Sequence, residues 1–86
     1  MLDVIVATPQ ELLFEGAAKQ LICPGEQGVF EIGPFHRPLM SRLLPGLVVI
    51  DGQAFPIHRG VLKVDHDRVI AIVEPEVAES APARGG

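Results

Sequence analysis

The side chains best equipped for chemistry in this sequence are three histidines, His36, His58 and His66, a single cysteine, Cys23, and a scatter of carboxylates. His36 is the first candidate for a general base, but an imidazole needs a nucleophile to deprotonate or a carboxylate to orient it. No Ser, Cys or carboxylate stands at motif spacing from it, so it reads as a polar turn residue or a contact residue. No two histidines share the i, i+2 or i, i+4 spacing that aims two imidazoles at one metal. Asp3, Glu11, Glu15, Glu26 and Glu31 fall on separate segments, the pattern of a solvated face rather than of an acid pair. Pro24-Gly25-Glu26-Gln27-Gly28 has the glycines of a phosphate loop, yet it lacks the Gly-Lys-Ser/Thr ending and a following helix, and it reads as a turn. Cys23 has no second cysteine for a disulfide, for zinc or for dithiol exchange, and reads as a small buried hydrophobe at a strand end. No catalytic residue, metal site or cofactor is expected.

The elements that carry these residues are strands. Leu2, Val4 and Val6 alternate with Asp3, Ile5 and Ala7 before Pro9, which is the period of two of a half-buried strand. Leu12 to Glu15, Ala18 to Cys23 and Val29 to Ile32 follow, separated by Gly16, by Pro24 to Gly28 and by Gly33-Pro34. Pro38 and Pro45 leave room for only about a turn and a half of helix between them, so that segment is expected to be irregular or extended. Asp51-Gly52 is the strongest hairpin signal, because a type I′ turn needs positive φ at both central residues. It joins Leu47 to Ile50 with Gln53 to His58, where Pro56 implies an edge or a bulge. Gly60 separates that strand from Val61 to Asp65, and His66-Asp67 turns into Arg68 to Val73, whose two faces both read as buried. These eight or nine short strands predict an all-β sandwich or small barrel in one domain over residues 1–77, followed by a disordered tail at 78–86.

The balance of charge narrows the function classes. The formal net charge is −4, and the seven Lys and Arg residues are dispersed, so neither nucleic-acid phosphates nor an anionic bilayer finds a basic landing site. The four phenylalanines read as isolated, which removes the stacking platforms of single-strand binders. No stretch approaches the roughly 20 apolar residues of a membrane span, and the first residues read as a strand rather than an export signal. Direct membrane insertion is therefore not expected.

Three stretches, taken in order, resemble the epsilon subunit of F-type ATP synthases. They are Thr8-Pro9 with Leu13-Phe14-Glu15-Gly16; Pro24-Gly25-Glu26-Gln27-Gly28-Val29-Phe30; and Gly33-Pro34-Phe35-His36-Arg37-Pro38-Leu39 with Leu44-Pro45-Gly46. The similarity continues through Gly60-Val61-Leu62-Lys63-Val64 and Arg68-Val69-Ile70-Ala71-Ile72. It implies a sandwich of two roughly five-stranded sheets in the central stalk, with one side on the gamma subunit and one end on the polar loops of the c-ring. The implied role is a non-catalytic rotor link for proton- or sodium-coupled ATP synthesis, peripheral on the cytoplasmic face of the bacterial inner membrane. By the matching positions, the ring-facing residues are Val29, Phe30, Glu31, Phe35, His36, Arg37 and Ser41.

Departures from the family pattern concentrate at that end. Phe35 and Arg37 replace two small residues of a Pro-Gly-His-Ala-Pro loop, and Val29 stands where an acid is frequent. The family commonly continues into two helices that restrain hydrolysis. Here the residues after Val77 have no amphipathic pattern and read as a low-complexity tail, so no inhibition of hydrolysis and no ATP sensing are expected of them. The scaffold by itself equally admits a free-standing β-sandwich adaptor, since fold alone does not fix function.

Overall fold

The computed structural model of the chain describes residues 1–76; residue 77 and the expected 78–86 tail lie outside the described residues. Eight strands follow one another: β1 (Leu2–Ala7), β2 (Leu12–Ala18), β3 (Leu21–Gly25), β4 (Gly28–Ile32), β5 (Leu39–Leu43), β6 (Gly46–Ile50), β7 (Gln53–Asp65) and β8 (Arg68–Pro75). They form the expected all-β sandwich. One layer runs β2-β1-β8-β7-β5, with β7 contributing its second half; the other runs β4-β3-β6 and ends on the first half of β7. All neighbours are antiparallel except β1 and β8, which pair in parallel from Asp3↔Arg68 to Ala7↔Ile72.

The period of two decides which residues meet between the layers. Leu2, Val4 and Val6 of β1, Leu62 and Val64 of β7, and Val69, Ala71 and Val73 of β8 are buried, and they face Leu21, Cys23, Ile32, Val48, Ile50 and Ile57 from the other layer. Phe14 and Phe55 close one flank edge to face, with ring centroids 6.1 Å apart and planes at 76°, a geometry that sets the positive ring edge against the negative face. These two phenylalanines are thus not isolated as their sequence positions suggest.

Four local readings change. β2 runs through Gly16 to Ala18, and β3 begins only at Leu21, so Ala18 to Cys23 is a strand end, a two-residue connection and a strand start. The stretch between Pro38 and Pro45, expected to be irregular or extended, is a regular strand, β5, because pairing with Gly60 to Val64 of β7 supplies the hydrogen bonds that a lone segment lacks, and its end also meets β3 at Gly25↔Leu43. Gln53 to Asp65 is one strand of 13 residues rather than two. Its register against β8 slips between Ile57 and Arg59, leaving His58 as the bulged residue beyond Pro56. Gly60 keeps the strand continuous, since a Cβ there would lie 2.8 Å from the Ile72 carbonyl oxygen and from Val73 Cγ1. Finally, β8 is buried on one face only: Ile70 and Ile72, 38% and 46% exposed, point outward between Arg68 and Glu74.

The turns follow their residue chemistry. Asp51 and Gly52 have φ of 47° and 88°, as a type I′ hairpin requires. The Asp51 carboxylate also reaches across to the β2–β3 connection. Its Oδ1 accepts the Lys19 and Gln20 amides at 3.0 Å each, and the Asp51 amide donates to the Gln20 carbonyl at 3.2 Å. Thr8 Oγ1 accepts the Gln10 and Glu11 amides at 3.1 and 3.0 Å, which satisfies this buried hydroxyl and forms the β1–β2 turn. Because Asp51 ties two connections together, Asp51→Ala is expected to lower stability by about 2 kcal/mol. In urea titration the midpoint should fall with an unchanged m-value, and Asp51→Asn, which keeps an acceptor and tolerates positive φ, should lose about half as much.

Candidate partner-binding surface

The residues expected to face a partner lie on the β3–β4 hairpin, the 33–38 loop and β5. The hairpin closes through Gly25↔Gly28. Gly25 is needed there because a Cβ would sit 2.6 Å from Cε1 of Phe30, whose half-buried ring packs down onto the core. Val29 is on the opposite face of β4 and is 74% exposed. The hairpin overhangs β5, and together they border a groove of about 520 Å³ lined by Glu26, Val29, Phe30, Met40 and Ser41 among others. An ion pair between Arg42 Nε and Glu26 Oε2, at 3.9 Å and well exposed, spans its end and adds little stability.

The second part of the surface is the 33–38 loop. Phe35 is 93% exposed and has φ of 64°, and its amide donates to Asp67 Oδ1 at 2.7 Å. His36 Nδ1 donates to the Arg37 carbonyl at 2.7 Å, which in the neutral ring leaves Nε2 as an acceptor. Phe35 and His36 border a shallow recess with Asp65, His66 and Asp67. The structure therefore divides the expected residues. Val29, Phe30 and Ser41 share the groove, Phe35 and His36 share the recess, and Pro38 to Met40 connect the two. Arg37 is exposed and, among the described residues, forms no ion pair. Glu31 is turned to another neighbour, accepting Gln20 Nε2 at 2.6 Å.

Two features escape a reading by motif. Met40, 70% exposed, completes the groove beside Val29. The outer face of the β1-β8-β7 layer carries a second apolar patch. Val61 pairs with Ile72, and Ile5 with Ile70, so these side chains form one block on the sheet. Asp3, Lys63, Arg68 and the 3.1 Å Arg59–Glu74 ion pair surround it. Alternation along β8 between two charged ends was the available signal. Among the described residues, no three His, Cys, Asp or Glu side chains are grouped to hold a metal, and no helix is long and apolar enough to cross a membrane.

The chain is thus a two-layer β domain whose candidate surfaces lie at one end and on one outer face. Residues 1–79 match the family model described as the ATP synthase Delta/Epsilon chain β-sandwich domain, and the chain belongs to that family. Its relatives include the ATP synthase epsilon chain of Sulfurovum sp., 35% identical over 93% of this chain and 66% of its own length. That of Nitratiruptor sp. is 36% identical over 88% and 63%, and epsilon chain 2 of Ralstonia nicotianae is 46% identical over 56% and 34%. The chain thus spans about two thirds or less of the curated relatives it matches. Among solved structures, a chain of the Tetrahymena thermophila mitochondrial ATP synthase central stalk and c-ring superposes with a TM-score of 0.76 at 15% identity, covering 99% of this chain and 75% of that one; that likeness is one of fold.

Cys23 remains as a chemical group. It is fully buried, and burial pushes its thiol up from 9.0 to about 11, because an apolar surrounding disfavours the thiolate. The unfolded thiol ionises near 9.0 and the native one near 11, so its contribution is fully present below pH 9 and is lost as pH rises through that window. Chemical denaturation should show stability falling between pH 9 and 11, and Cys23→Ala should remove that component of the slope. A disulfide thiol probe at pH 8 should label Cys23 only on unfolding.

Proposed function

We propose that this chain is a rotor-stalk component of an F-type ATP synthase that fastens the c-ring to the gamma subunit and performs no chemical step itself. The observation that carries the reading is the family match across all of the described sandwich. In this reading the protein is peripheral on the cytoplasmic face of the membrane, and torque passes through it from a ring driven by protons or sodium ions. A sandwich suits that task, since its close-packed core transmits strain with little compliance.

Two surfaces are available for two partners. The outer block of Ile5, Val61, Ile70 and Ile72 takes the gamma subunit: it is apolar and rimmed by charges of both signs, the composition of a stable subunit contact. The end formed by the groove and the 33–38 loop takes the polar loops of the ring, with Arg37 supplying a guanidinium to a carboxylate or carbonyl.

The test is co-expression of the full chain with the gamma and c subunits of its own organism, followed by pull-down. Val61→Glu combined with Ile72→Glu is expected to abolish retention of gamma while leaving the circular dichroism spectrum unchanged. Arg37→Glu is expected to weaken docking to the ring by about 2 to 5 kcal/mol without affecting gamma. A chain that stays monomeric beside both subunits would instead make it a free-standing adaptor.

A further inference from the structure

The side chain at Phe35 is one that the turn it sits in does not call for. The backbone φ of 64° there lies in the left-handed region, which a bulky L residue rarely adopts because Cβ crowds the carbonyl. Glycine or asparagine would hold the same turn with less strain. The phenyl ring offers no compensation in packing, being 93% exposed. Strain of this kind persists only where the surroundings over-determine it, and here they do. The Phe35 amide is held by Asp67 Oδ1 at 2.7 Å. Asp67 is itself fixed in the glycine-free turn with His66, at φ of 59° and 50°, and its carbonyl accepts the Asp3 amide at 2.8 Å. Pro34 and Pro38 stiffen the loop from both sides.

An aromatic ring carried into solvent on a fixed stretch of backbone, with hydrogen-bonding groups beside it, has the properties of an interface anchor. It buries a large area while surrendering little conformational freedom. We propose that Phe35 is the anchor of the ring-side contact: its ring packs onto the apolar parts of a polar loop of the partner protein, His36 and Arg37 engage that loop's carbonyls or carboxylates, and Asp67 is the positioning residue. This rests on the reading of that end as the c-ring surface. A protein loop is favoured over a bilayer because Asp65 and Asp67 border the same recess and the chain is net acidic at −4, both of which repel anionic headgroups.

The experiment measures binding of the full chain to detergent-solubilised c-ring purified from its own organism, by biolayer interferometry. Vesicles containing phosphatidylglycerol and the chain alone in sedimentation serve as parallel arms. Phe35→Gly is expected to weaken ring binding at least tenfold while the melting temperature stays the same or rises. Asp67→Ala should weaken ring binding in the same way, and Asp67→Asn, whose Oδ1 still accepts the Phe35 amide, should restore it. Equal binding by the parent chain and Phe35→Gly would overturn the anchor and leave the ring-side reading standing. No ring binding by the parent would overturn both. Vesicle binding or self-association that depends on Phe35, without a change in ring binding, would also overturn the proposal.

Discussion

The sandwich hangs on one strand that belongs to both layers. The first half of β7 pairs with β6 in one sheet, and its second half lies between β5 and β8 in the other. A continuous strand can serve two sheets only if it bends sharply between them, and the extra residue at His58 provides the local twist. Immediately afterwards the backbones of β7 and β8 come so close that no side chain fits at position 60. The bend sets the angle between the layers, and the angle decides which alternate residues of every other strand reach the core. Both exposed patches inherit their placement from it, since β5 and the outer block are built on the second half of β7.

The architecture was legible in the sequence wherever local chemistry and tertiary demand agreed. Asp51-Gly52 and His66-Asp67 turn where their conformational preferences place them, and β1 alternates as its apolar residues do. Misreadings arose where a neighbour overrode a local signal. Gly16 looked like an end of strand, yet pairing with Val4 carries β2 across it. Pro38 and Pro45 looked like limits on structure, whereas five consecutive pairs with β7 make the residues between them a strand. The apparent double burial of β8 came from a run of Val, Ile and Ala whose outward members serve a surface rather than the core.

The candidate surface was legible in outline and not in detail. Resemblance marked the right segments but treated them as one face, whereas Glu31 is directed at Gln20 and the 33–38 loop leans on a turn more than thirty residues away. No periodicity reveals that Asp67 holds the amide of Phe35, because the contact depends on how the two layers close. Met40 was hidden for a similar reason: it sits in a segment expected to be irregular or extended, with no strand register from which its exposure could be read by alternation.

The parallel pairing of β1 with β8 has a consequence for how the chain reaches its native state. The first strand has β2 on one side, but its other neighbour is the last strand of the described domain, with partners from Asp3↔Arg68 to Ala7↔Ile72. Contacts that span almost the whole sequence must wait for the largest loop closure, which places such a topology among the slow folders. During synthesis, β1 emerges from the ribosome with half of its ladder unsatisfied and stays so until β8 has cleared the exit tunnel. The core therefore closes after translation of the domain is complete, and the nascent chain exposes an unpaired Leu2-to-Val6 edge that chaperones can hold in the interval.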